Sequence, residues 1–227
     1  MYFKKNLRYL IRLYVRIWVN VMPFSYIAIV GLEGCGKSSI MSVIIEYLNN
    51  QGEDVIPVRE PGGTPIAEMI RDAVKCDVGE PVSPESETLG FYMSRLQLLN
   101  NRVIPALNDG KIVVSDRCYR CSDAYQGAGG SVPEELIATL KKYCLPVKPD
   151  LVFFLDVDPV VGLERARGRG ELDRIEKNNI DFFNKARENY HEQIQKEGGF
   201  VVDANQNFES LKEQVLVILQ SITKGAV

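Results

Sequence analysis

The residues best suited to chemistry begin at Gly31-Leu-Glu-Gly-Cys-Gly-Lys37-Ser38, a full match to the pattern GxxxxGK[ST]. Glycines at this spacing let backbone N–H groups turn inward as an anion nest, and a helix starting at the lysine adds positive potential. Lys37 can then reach the outer phosphates of a nucleoside triphosphate while the Ser38 hydroxyl ligates magnesium. Gly31, Leu32, Glu33, Gly34, Cys35, Gly36, Lys37, Ser38 and the adjoining Ser39 therefore form the candidate ATP-binding element. Its one acid, Glu33, would repel a triphosphate and needs a compensating role.

Phosphate-binding loops serve switches, motors and kinases. The guanine-reading pattern NKxD is absent, because Asn184-Lys-Ala-Arg187 ends in arginine. Arginines instead gather at predicted strand ends, as an enzyme holding two phosphorylated substrates requires. Asp116 and Asp156 each close a strand and compete as a magnesium ligand acting through water. No His or Cys constellation for nucleophilic catalysis is present: His191, the sole histidine, falls on a charged helix and reads as a solvated position. The five cysteines, 35, 76, 118, 121 and 144, are odd in number and scattered, which fits reduced thiols in a cytosol. Cys118 and Cys121 form a CxxC, but no further ligands stand at a zinc spacing.

Short apolar runs separated by helical periods must position these groups. Tyr26–Val30, Val55–Val58, Lys111–Ser115, Leu151–Leu155 and Phe200–Asp203 read as strands. Helices are predicted over 38–50, 65–74, 85–107, 133–143, 159–166, 178–196 and 209–222. Strands that are apolar throughout and alternate with helices predict an α/β fold with a five-stranded parallel sheet flanked by helices.

Composition agrees: 227 residues, 45% hydrophobic and 25% charged, describe one globular domain. The net charge of −3 hides a division. Residues 1–22 carry Lys4, Lys5, Arg8, Arg12 and Arg16 with no acid, leaving 22 bases against 30 acids, or −8, for 23–227. An acidic body excludes a general nucleic-acid binder. The arginines of the extension interrupt its apolar run too often for a membrane span or a signal peptide. Two readings stay open, an interfacial amphipathic helix or a segment upstream of a true start at Met22; the second is preferred, because the first core strand begins four residues later. Membrane contact is expected only under the first.

The segment Arg59-Glu-Pro-Gly-Gly-Thr64 with Ala67-Glu68 and Arg71 resembles thymidylate kinases, the bacterial ones above all. The resemblance continues through Phe91-Tyr-Met-Ser-Arg95, Asp116-Arg117, Ser122-Asp-Ala-Tyr-Gln-Gly127, Pro149-Asp-Leu and Arg165-Ala-Arg-Gly-Arg-Gly-Glu-Leu-Asp-Arg-Ile-Glu176, covering Tyr26 to the C-terminus. It implies a P-loop nucleoside monophosphate kinase fold over 23–227, with a lid at about 165–176. It also implies transfer of the γ-phosphoryl group of ATP, with Mg²⁺, to dTMP in a cytoplasmic homodimer.

By the same resemblance, Arg59, Arg71 and Arg117 bind the acceptor phosphate, Phe91 stacks on thymine, and Arg95 and Gln126 bond its edge. Ser122 and Tyr125 line the sugar and base, and Glu33 approaches the 3′-hydroxyl. The Asp-Arg pair favours Asp116 over Asp156 at the metal. The family carries its charge-stabilising base in the P-loop or in the lid; Gly34 and Cys35 are uncharged here, so the lid inherits that role. Arg167 and Arg169 join Lys37, Arg59, Asp116 and Arg117 as expected catalytic residues, with Arg165 at ATP. Read without the resemblance, Phe91 is helix core.

There are two departures: Ala128-Gly129-Gly130 stands where relatives continue to an arginine, and Ser39 where threonine is common. A thymidine kinase, a kinase for another nucleoside monophosphate and a non-enzymatic P-loop module remain rivals. The arginine set argues against the first and the missing NKxD against the last.

Overall fold

A computed structural model describes residues 22–168 and 174–224. β1 (Tyr26–Val30) is buried along its whole length, and so is β4 (Leu151–Asp156) up to its closing aspartate. They form the middle of a sheet in the order β2-β3-β1-β4-β5, all pairs parallel. β3 (Ile112–Asp116) lies beside β1, while β2 (Val55–Arg59) and β5 (Phe200–Asp203) are the less buried edges. Pro57 is tolerated because β2 is an edge strand with a free side for a residue lacking an N–H. Asp150 sets where β1 starts: its carboxylate accepts from the Ser25 and Tyr26 N–H groups at 2.8 and 3.0 Å.

Helices cover both faces. α1 (Lys37–Asn50) follows β1 and α2 (Pro65–Lys75) follows β2. Thr64 caps α2 by accepting from the Ala67 N–H, with Pro65 at the first helical position. The helix expected over 85–107 is interrupted: α3 (Pro84–Leu98) runs into a π-helical turn, Leu99–Val103, and then α4 (Ile104–Asn108). Pro105 has no N–H to return to the Asn101 carbonyl, so the hydrogen-bond ladder widens there.

Sequence periodicity assigns no element between β3 and the helix predicted over 133–143, yet α5 (Arg120–Ser122) forms there and opens into a second π-helical turn, Asp123–Gly129. α6 (Glu134–Cys144), α7 (Pro159–Arg167), α8 (Ile180–Glu197) and α9 (Phe208–Lys224) complete the chain. One apolar cluster fills the space around β1 and β4; a smaller one, with Tyr26, Val58, Leu98 and Val113, seats α3. No helix among the described residues is long and apolar enough to cross a membrane. The basic extension, save Met22, lies outside them.

Candidate active site

The loop between β1 and α1 turns on Gly34 and Gly36, at φ 70° and 92°, a left-handed backbone that glycine adopts without a Cβ penalty. Lys37 is buried, and its ammonium donates to the Gly31 and Leu32 carbonyls at 3.0 and 2.7 Å, which holds the loop in its curved form. Ser38 and Ser39 sit exposed on the first turn of α1. The Ser38 hydroxyl donates to Asp116 Oδ2 at 3.1 Å, and Asp116 Oδ1 is buried with no hydrogen-bond partner among the described residues. Cys35 is buried behind the loop, where removal from water pushes its thiol up and disfavours a reactive thiolate.

Glu33 points into the protein. Arg117 donates to its Oε1 at 2.8 Å and the Tyr125 hydroxyl to its Oε2 at 2.7 Å. Burial alone would raise the Glu33 carboxyl; the charges of Arg117 and Lys37 and the Tyr125 hydroxyl overcome this and hold it below the usual range. Arg117 reaches Glu33 from an unusual backbone, φ 75°, with its N–H bonded to the Ile29 carbonyl at 2.8 Å. Such strain persists only where surrounding contacts enforce it.

A cavity of about 240 Å³ opens beside the loop at the carboxyl ends of the strands. Lys37 and Ser38 line one end, and Phe91, Arg95, Ser122, Tyr125 and Gln126 line the other. Arg59, Arg71, Asp116 and Arg117 also line it, so the expected acceptor residues meet in one place. Phe91 is both core and cavity wall, at 8% exposure. Arg59 and Arg71 each donate to the Pro61 carbonyl, and Arg59 pairs with Glu68 at 2.7 Å. Glu68 also accepts from the Gly63 N–H at 2.6 Å, tying α2 to the arginine-bearing loop.

Arg95 is tied differently. Its Nε donates to Glu60 at 2.6 Å, with both side chains 5% exposed or less, and its NH2 donates to the Ser122 hydroxyl at 3.0 Å. Burial raises the Glu60 carboxyl despite this partner. Arg95 NH1 is buried without a hydrogen-bond partner among the described residues. Arg95 is thus neutralised by its own protein and left with an NH₂ group to spare, which suits an uncharged base edge better than a phosphate.

Gln126 is presented by the π-helical turn, which packs on α8 through Tyr125 against Phe182 and Tyr190 at 5.8 and 6.3 Å between rings. Gly130 follows that turn; a Cβ there would come within 2.9 Å of the Gln126 carbonyl.

The expected lid residues separate. Arg165 donates to the Ala204 and Asn205 carbonyls at 2.7 and 3.2 Å, joining α7 to the loop after β5. Arg167 ends α7 exposed. Arg169 lies outside the described residues. Arg174 turns to the acceptor side, donating to Glu87 and to the Val74 carbonyl.

One expectation is corrected, and one rival loses support. Asp156 is paired within the protein, because Arg187 grips both its oxygens at 2.6 and 3.0 Å, whereas Asp116 faces the cavity. His191 is not merely solvated: its Nε2 lies 3.2 Å from Asp156 Oδ2 and its ring sits edge-on to Phe154. Sequence reading also passed over Glu87, whose signal was its spacing, one turn before Phe91 and two before Arg95.

A family model for thymidylate kinase matches residues 29–215. The chain belongs to the thymidylate kinase family. A thymidylate kinase of Alteromonas mediterranea is 47% identical over 200 residues, spanning 87% of this chain and 90% of that protein. One of Pseudoalteromonas translucida is 44% identical over 202 residues, 88% of this chain and 97% of its own length. The parallel sheet with its glycine loop at a strand end is the thymidylate kinase architecture expected from the motifs.

Proposed function

We propose that the chain is an ATP-dependent dTMP kinase, transferring the γ-phosphoryl group of ATP to dTMP to give dTDP and ADP on the way to dTTP. One observation carries this reading: a single cavity runs from Lys37 and Ser38 to Phe91, Arg95 and Gln126, so a triphosphate on the loop and a base at the far end share it.

The attacking atom is a phosphate oxygen whose second pKa is about 6, so it is largely dianionic at pH 7 and needs no general base. Catalysis then rests on alignment and on charge compensation. Lys37 serves the donor phosphates. Arg59, Arg71 and Arg117 take the acceptor phosphate, for which guanidinium forks are suited. Arg117 also spans to Glu33, which with Tyr125 and Ser122 bounds the deoxyribose. Phe91 stacks on the base, and Arg95 and Gln126 bond its edge. Arg167 and Arg169, on the 165–176 lid, compensate charge on the transferring group, with Arg165 beside ATP.

The partnerless Oδ1 of Asp116 and the adjacent Ser38 hydroxyl fit Mg²⁺, with Asp116 acting through water. Bound there, the ion would neutralise charge between the donor phosphates.

The protein is further proposed to be a cytoplasmic homodimer, with 1–22 dispensable for catalysis. Exposed apolar residues on α2 and α3, Ile66, Met69, Leu89 and Met93, support a partner surface. Five free cysteines suit a reducing compartment. A coupled assay of ATP with dTMP, dUMP, UMP, AMP and thymidine tests the assignment. Turnover led by thymidine or AMP rejects it.

A further inference from the structure

Glu87 stands apart from the loop, yet it bonds to both Gln126 in the cavity wall and Arg174 of the segment beside it. It stands on α3 at the i position of an i, i+4, i+8 series with Phe91 and Arg95, so all three share a helix face. Its Oε1 accepts from Gln126 Nε2 at 2.8 Å, and its Oε2 accepts from Arg174 NH2. Glu87 is 13% exposed at its side chain and Gln126 is 4% exposed, so water competes weakly with either bond. Beyond Arg174, Ile175 and Glu176 line the cavity, and Lys177 reaches Asp77 at 3.2 Å. Residues 174–177 thus lie as a strap beside the acceptor end, held to α3 through Glu87.

A carboxylate only accepts hydrogen bonds, so it must take the NH₂ end of the Gln126 amide. That removes the usual freedom of an amide to turn over and assigns its carbonyl to the ligand side. A carbonyl there pairs with the N3–H of a thymine or uracil ring and faces a lone pair on N3 of cytosine. We propose that Glu87 is a positioning residue that determines base specificity, holding the Gln126 carbonyl toward the acceptor so that the site selects a pyrimidine with a proton on N3, and binding the 174–177 strap in the same act. This rests on the reading of Gln126 as a base-contacting residue.

Counting donors yields a sharp test. In Glu87→Gln, Arg174 can only donate, so it claims the new amide oxygen. The new NH₂ group then faces Gln126, which must turn its own carbonyl toward it and present NH₂ to the base. The ratio of kcat/KM for dTMP over dCMP is expected to fall about tenfold or more, since a misplaced donor in a buried site is heavily penalised. Adding Arg174→Ala releases the oxygen to serve Gln126 again, so E87Q/R174A should recover part of the lost ratio. Arg174→Ala alone should raise the KM for dTMP severalfold at nearly constant ratio.

A purely structural role for Glu87 would show no such rescue, and a double variant no better than E87Q overturns the proposal. Glu87→Ala, which frees the amide by deletion, must also lower the ratio; a ratio within twofold of wild type in both E87A and E87Q rejects the idea. Gln126→Ala distinguishes the underlying reading: if Q126A keeps the wild-type ratio, Gln126 does not read the base at all. If Q126A loses the ratio while E87Q keeps it, only the Glu87 proposal fails. Thermal midpoints of each variant confirm that folded enzymes are compared.

Discussion

Two buried carboxylates show how one residue type is put to different uses. Glu33 is held ionised below its ordinary range by Arg117, Lys37 and the Tyr125 hydroxyl, against burial. A carboxyl with a depressed folded pKa contributes stability that is fully present above its unfolded value, near 4.5, and lost as pH falls through the lower folded one. Glu33→Gln should therefore be less stable than wild type at pH 7, and the difference should shrink on acidification below about pH 4.5; urea titrations across pH check this. Glu60 differs in that burial raises it although Arg95 pairs with it at 2.6 Å. Arg95→Ala strands that carboxylate and should cost about 3–5 kcal/mol at neutral pH, whereas Glu60→Gln with Arg95→Met should cost less, measured by denaturant unfolding. For the proposed lid role, Arg167→Ala is expected to lower kcat far more than it raises the Kd for dTMP. Equal losses in the two would remove Arg167 from charge compensation.

Between elements, the close approach of the phosphate loop to α7 limits what the loop can carry. A Cβ at Gly34 would lie 2.1 Å from the Gly162 carbonyl oxygen, and one at Gly162 would lie 2.5 Å from the Glu33 carbonyl. Gly34 is also at φ 70°. No charged side chain fits at 34 without parting loop from helix, a steric counterpart to the proposal that charge compensation sits on the lid. Gly34→Ala should cost on the order of 1–3 kcal/mol and weaken ATP binding, read by thermal unfolding and calorimetry. The π-helical turns act at the same scale. One absorbs Pro105 inside a long helix, and the other places Tyr125 and Gln126 in the cavity wall.

For the whole molecule, the exposed apolar residues of α2 and α3 bear on assembly. Met69 and Met93 are 71% and 54% exposed, although each lies on a helix whose other face is packed. If these helices meet a second copy, Met69→Glu with Met93→Glu should yield monomers by light scattering, because charges at an apolar interface are costly to desolvate. β1 begins at Tyr26, secured by Asp150, so a chain started at Met22 retains every described contact of that strand. Its kcat and KM should match those of the full chain. Loss of activity would make the basic segment part of the enzyme.

Much of this was legible in the linear chain, because it depends on local or short-range order. All five strands lie within a residue of their apolar runs at each end, and the burial of β1, β3 and β4 on both faces follows from runs without polar alternation. The phosphate loop was legible because glycine spacing sets backbone geometry directly. What the sequence by itself could not determine was pairing across distance. The order β2-β3-β1-β4-β5 separates β1 from β2 and β3 from β4, and Glu60 with Arg95, Glu33 with Arg117 and Asp156 with Arg187 meet only once the sheet is assembled. A carboxylate or guanidinium in a sequence has a charge but no partner. Which arginines remain to face a ligand and which are neutralised by buried acids is decided by desolvation and proximity, and those exist only in the tertiary structure.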